Sequence, residues 1–181
     1  MKHRFFVLFA VIILGLISVS AQDKNYEIEI TMAETIVSNE ADEIPVAVKI
    51  RNYGKETLRT AGLGDIFFFF SKCEAGVVCD KTGDKFAASL RMPSKSIREN
   101  STFEFSANLA DLFWKDETDS GLTSGGAANF GVIPPQNNNF YAGIRTLEGY
   151  RPIANSTGNS GPKRPVYSYK FSNGISVTIK D

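Results

Sequence analysis

With 181 residues, 43% of them hydrophobic, the chain is long enough and apolar enough to bury a core of its own, and one domain is the default. Twenty basic side chains balance twenty acidic ones, which excludes a global attraction to nucleic acid or to an anionic membrane surface. The single histidine, His3, lies close to the N-terminus, so histidine-based catalysis and metal ligation depend on a segment that the chain is expected to lose.

Met1–Ala21 has the make-up of a secretory signal peptide: Lys2 and Arg4, then the apolar run Phe5 to Ile17, then small residues near the exit. The run is too short for a membrane span, and no membrane span is expected elsewhere. The expectation is an exported chain, periplasmic or extracellular, that begins near Gln22 and forms one domain over residues 22–181. Cleavage removes His3, and with it Ser-His-Asp and Cys-His arrangements. It also removes Lys2 and Arg4, which leaves 18 bases of the 20 against 20 acids. No cysteine stands at the cleavage point to carry a lipid anchor.

The dominant period downstream is two. Tyr26, Ile28, Ile30 and Met32 alternate with polar residues, as do Ile44, Val46, Val48 and Ile50, Phe103 and Phe105, and finally Ile175, Val177 and Ile179. These patterns predict half-buried antiparallel strands. Asn52-Tyr53-Gly54 offers turn chemistry after the second of them, since Asn and Gly tolerate positive φ. Ile66 to Phe70 is continuously apolar and predicts a central strand with rings on both faces, its outer face covered by a loop; an exposed binding patch is the alternative.

Cys73 and Cys79 are the only cysteines. In an oxidising compartment they are expected to form a disulfide that clips a short loop. Asn108 can cap a single helical turn through Asp111. Trp114 is either a plug at the end of the core or a sugar-stacking platform, and the plug is the commoner use of a lone tryptophan among apolar neighbours. Asp116 to Gly121 resembles the opening of an EF-hand loop, which makes Asp116 and Asp119 weak metal candidates. Its twelfth position is Ala127, where a glutamate is needed, so a polar loop between strands is preferred. No cofactor is expected.

Two stretches without a period, Thr118–Asn139 and Gly149–Pro165, predict long loops, which are frequent carriers of function. Around the second, Arg145, Tyr150, Arg151, Lys163, Arg164 and Tyr167 form a basic and aromatic group of the composition enriched at interfaces, and they are the candidate binding residues. The charge is uneven along the chain: residues 140–181 carry six bases against Glu148 and Asp181, whereas acids predominate over residues 22–60. At the C-terminus, Tyr167, Tyr169 and Phe171 share parity with Ile175, Val177 and Ile179. Either a three-residue hairpin at Ser172-Asn173-Gly174 or one long kinked strand fits, and both are expected to keep this apolar set on one face. Asn100 and Asn155 fit glycosylation sequons, which matter only in a eukaryotic host.

The strand Ile44-Pro45-Val46-Ala47-Val48-Lys49-Ile50-Arg51-Asn52-Tyr53-Gly54, the segment Phe103-Glu104-Phe105-Ser106-Ala107-Asn108-Leu109, and the stretches Phe140 to Ile144 and Ser172 to Ile179 resemble those of immunoglobulin-like β-sandwich modules of exported bacterial proteins. That loose group includes cell-adhesion-related and protease-inhibitor-like domains. The resemblance implies an all-β, immunoglobulin-like antiparallel β-sandwich, here with two long loops and one short helical turn. It also implies a non-catalytic binding or adaptor role toward a protein or glycan of the cell envelope or exterior. A carboxylate-based hydrolase, a calcium-dependent adhesion module and a purely structural subunit are the alternatives.

Overall fold

The computed structural model describes residues 25–75, 77, 85–118, 121–122, 128–154 and 160–181, with backbone alone at 117–118, 121–122, 151–154 and 160–164. The expected leader, Cys79, Asp119 and Asn155 lie outside the described residues.

The strands are, in chain order, β1 (Tyr26–Met32), β2 (Ile36–Ser38), β3 (Pro45–Asn52), β4 (Leu58–Arg59), β5 (Asp65–Ser71), β6 (Lys85–Arg91) and β7 (Ser96–Ile97). They continue with β8 (Thr102–Asn108), β9 (Lys115–Thr118), β10 (Gly121–Leu122), β11 (Asn137–Ala154), β12 (Ser160–Phe171) and β13 (Ile175–Lys180). The protein is mostly β, and the helical turns among the described residues are single 3-10 turns at Thr60–Gly62, Leu109–Asp111 and Phe130–Val132.

Strict alternation does what a half-buried strand requires. Tyr26, Ile28 and Ile30 of β1 are buried while Glu27, Glu29 and Thr31 are exposed. The antiparallel register sets Ile28 opposite Ile50 and Ile50 opposite Phe103, building the small sheet β1-β3-β8. The larger sheet runs β10-β9-β6-β5-β11-β13-β2, with β12 also paired to β11, and β4 and β7 form a separate pair. One pairing departs from the expected antiparallel order: β13 and β2 run parallel.

Ile28, Ile30, Val46, Val48 and Ile50 of the small sheet share a single core with Ile66, Phe68, Phe70, Phe140, Ile144, Val177 and Ile179 of the large one. The two sheets therefore face each other across one apolar layer, in which each fully buried large side chain contributes about 1.5–3 kcal/mol. Trp114 closes this layer. It is fully buried, its indole N–H donates to the Leu109 carbonyl at 3.0 Å, and its ring lies against Phe70 and Phe130. It is the core plug, and no ring face is left for a sugar. The nearby turn is capped as expected, Asn108 Oδ1 accepting from the Ala110 N–H at 3.3 Å and from the Ile44 N–H at 2.7 Å.

Several expectations are corrected. Asn52 takes no positive φ; Asn100 is the non-glycine residue that does so among the described residues. Asn52 is instead a buried strand end whose Nδ2 donates to the carbonyls of Glu56 and Ile97, while its Oδ1 accepts from the Gly54 N–H. Asp116 is a β9 residue paired with Phe86 rather than a loop residue. Gly149–Pro165 is no structureless loop: on either side of the undescribed residues it forms the arms of β11 and β12. Its prolines fit because β11 beyond Ile144 pairs with β12 alone among the described residues. Each arm therefore has an edge at which a missing N–H breaks no ladder.

The C-terminal question is settled in favour of one kinked strand. Phe171 stands opposite Gly143 and Ile175 opposite Phe140, so the chain takes four steps where β11 takes three. This one-residue bulge reverses the parity. Tyr169 and Phe171 pack on the outer face with Phe67 and Phe69, whereas Ile175, Val177 and Ile179 enter the core. The apolar set does not stay on one face, as either arrangement was expected to ensure. Asn173 at the kink reaches the small sheet. Its Oδ1 accepts from the Ile30 N–H at 2.8 Å and its Nδ2 donates to the Ile30 carbonyl at 3.0 Å.

Candidate contact surface

The outer face of the large sheet begins with the second row of rings that the continuous apolar run supplies. Phe67, Phe69, Ala87 and Tyr141 form a cluster apart from the main core, with Tyr169 and Phe171 packed against it. The cover is therefore at least partly aromatic and drawn from a neighbouring strand, not the loop expected. Gly143 makes this geometry available: a Cβ there would sit 3.0 Å from a Phe171 ring atom and 3.3 Å from a Tyr169 ring atom. The missing side chain leaves a slot across which the β12 rings lean onto β5, meeting Phe69 edge-on at 5.5 and 6.0 Å between centroids.

Beyond the core the same face continues onto the β11–β12 ribbon. Arg145 stands opposite Tyr169 and Leu147 opposite Tyr167. After Leu147 the register skips Glu148, so that Gly149 faces Val166 and Tyr150 faces Pro165. Gly149 absorbs the bulge with φ at +155°, a conformation that suits glycine. The extra residue restores Tyr150 to the face of Leu147 and Tyr167. All three are exposed, at 61%, 46% and 41% for Tyr150, Leu147 and Tyr167. The guanidinium of Arg145 lies 4.6 Å from the centre of the Phe67 ring and 4.2 Å from that of Tyr167. At such distances a cation on an aromatic face gains about 0.5–1 kcal/mol when exposed. On the far side of the cluster, Lys85 caps Phe69 at 4.6 Å.

Further along the ribbon the backbone register sets Arg151 opposite Arg164 and Pro152 opposite Lys163. All six candidate residues therefore fall on one hairpin. Arg145 and Tyr167 are brought into contact, Tyr150 stands beyond them, and the three remaining cations follow in adjacent register positions. Leu147 and Phe67 belong to this surface and were missed. Leu147 shares the parity of Tyr141 and Arg145, a signal available once the strand is known to run through it. The link to Phe67 requires the β5–β11 pairing.

Elsewhere, charged and aromatic groups satisfy each other locally. The Tyr53 hydroxyl donates to Glu27 at 2.6 Å, and this carboxylate holds the phenol above its usual range. Among the described residues there is no group of three or more His, Cys, Asp or Glu placed to hold a metal ion, and no helix long and apolar enough to cross a membrane. No protein-family model and no curated protein matches the chain.

Proposed function

We propose that this chain is an exported, non-catalytic binding module, an immunoglobulin-like sandwich that captures a protein or glycan of the cell envelope or exterior through its β11–β12 ribbon. The observation that carries this reading is the concentration of exposed Leu147, Tyr150 and Tyr167 around Arg145 on a hairpin that extends past the pairing of β5. Tyrosine and arginine contribute most per residue at interfaces. A ribbon that projects from a packed core presents them at little ordering cost.

Capture of the partner from envelope extracts tests it. Replacing Arg151, Lys163 and Arg164 together by alanine should leave the thermal midpoint within a few degrees. The same variant should lose capture of whatever the wild type retains. Full capture by the triple variant would place the contact surface elsewhere.

A further inference from the structure

We infer that Arg145 is the anchor of a carboxylate-recognition site, and that the ribbon takes an acidic, extended protein segment. This rests on the ribbon being the contact surface and names the chemistry of what it contacts. Three observations converge on it. The first is the state of Arg145. Its guanidinium rests against Phe67 and Tyr167, and among the described residues no carboxylate lies within 4 Å of it. Two rings flank the guanidinium, and a fork flanked by rings keeps its N–H edges for an acceptor. A planar fork fixed in this way matches a carboxylate bidentately and loses little freedom on binding.

The second observation is charge. Between Arg145 and Lys170 the sequence holds five cations and one acid, Glu148. The register steps by two from Tyr150–Pro165 to Pro152–Lys163, so Lys163 continues the row of Arg145, Leu147 and Tyr150, whereas Arg151 and Arg164 fall on the alternate row and Lys170 lies over the Tyr26 ring. Arg145 and Lys163 are then the cations of the row, which holds no acid among the described residues, so an acidic occupant is the complementary one.

The third observation separates a peptide from a glycan. Sugars stack on open aromatic faces, but one face of the Tyr167 ring is already occupied by Arg145 at 4.2 Å. The remaining exposed area includes Leu147, 46% accessible, which offers apolar contact to a side chain and no hydrogen bond to a hydroxyl. Leu147, Tyr150 and Tyr167 beside a forked cation favour a segment in which acidic and aromatic residues alternate.

Fluorescence anisotropy with three probes tests this on the full exported chain: a labelled peptide of glutamates interspersed with phenylalanine, its isosteric copy with glutamine for every glutamate, and labelled polygalacturonate. The glutamate peptide should bind at least tenfold more tightly than the glutamine copy, and the gap should shrink as salt is raised. Arg145→Lys keeps the charge but neither the fork nor the stacking, and should weaken the glutamate peptide about tenfold while lowering the thermal midpoint by no more than a few degrees. Lys55→Ala, a cation between β3 and β4 and outside the ribbon, should leave binding unchanged. Equal affinity for the two peptides, no binding of the glutamate peptide, tighter binding of polygalacturonate, or an Arg145→Lys variant with wild-type affinity would each overturn the assignment. The failures remain distinguishable: if Arg151, Lys163 and Arg164 prove necessary for capture while Arg145→Lys is silent, the contact surface stands and the carboxylate anchor falls.

Discussion

Asn173→Ala isolates a side chain that hydrogen-bonds the kinked C-terminal strand to the small sheet. Ile30 is fully buried, and β1 is the outer strand of its sheet. Its N–H and C=O meet the Asn173 amide, which acts as a one-residue strand partner. A net hydrogen bond contributes about 1 kcal/mol, and a buried group left without a partner costs about 1–3 kcal/mol. Asn173 itself is exposed, so water can reach part of the vacated site, and the lower end of that range applies to each group. The expected loss is about 2 kcal/mol. At a urea m-value of about 2 kcal/mol per molar, typical of this size, the unfolding midpoint should fall by roughly 1 M.

Asn173→Asp supplies the control. It keeps an acceptor for the Ile30 N–H but sets a carboxylate oxygen against the Ile30 carbonyl, where Nδ2 lies at 3.0 Å in the native chain. Repulsion raises the folded-state pKa of the new carboxyl above the unfolded value of about 3.9. A group raised in this way stabilises below its unfolded pKa and loses that contribution as pH rises through the folded value. The Asp variant should therefore be no more stable than the Ala variant at pH 7 and should gain on it as pH falls toward 4. An Ala variant within 0.5 kcal/mol of wild type, a change at the level of an ordinary surface substitution, would refute the reasoning. So would an Asp variant whose deficit does not depend on pH.

Burial pushes the Tyr26 phenol up to about 12, above its unfolded value of about 10. The associated stability is present below pH 10 and disappears as pH rises toward 12. The shift corresponds to about 2.7 kcal/mol unscreened, reduced to about 1 kcal/mol where solvent reaches the ring. Tyr26→Phe should flatten that part of the alkaline unfolding profile, and an unchanged profile would count against it. Cys73 and Cys79 should both be protected from alkylation in the oxidised, folded chain, as mass spectrometry of non-reduced protein would show. Such a short loop adds no more than about 2–3 kcal/mol, and two freely alkylated thiols would rule the disulfide out.

The strands with strict alternation were legible because one face of each meets the core, and a period of two is the direct imprint of that boundary. Asn108 and Trp114 were legible for a related reason: a cap and a lone indole among apolar neighbours are decided within a few residues. Gly149–Pro165 misled because proline and glycine are scored as if every strand lay inside a sheet. On a two-stranded ribbon the same residues break no ladder. The contact between Arg145 and Tyr167 was out of reach, since they are joined by a hairpin register with a skipped residue at Glu148, and nothing in the composition places that skip.

The kink illustrates the general limit most sharply. A hairpin and a bulged strand satisfy the local chemistry of Ser172-Asn173-Gly174 equally well, and the deciding partner, Ile30, lies 143 residues away. What the bulge accomplishes is a change of face. Without the extra residue, β12 would continue the parity of β13, and Tyr167, Tyr169 and Phe171 would point into a layer already filled by Phe68, Phe70 and Phe140. With it, Ile175, Val177 and Ile179 serve the core and the rings of β12 pass to the outer sheet, across the gap at Gly143. The second skip, at Glu148, repeats the manoeuvre on β11 and keeps Tyr150 on that same face. Two single-residue bulges thus sort one C-terminal apolar series into a core that stabilises the fold and an outer row that leads to Arg145.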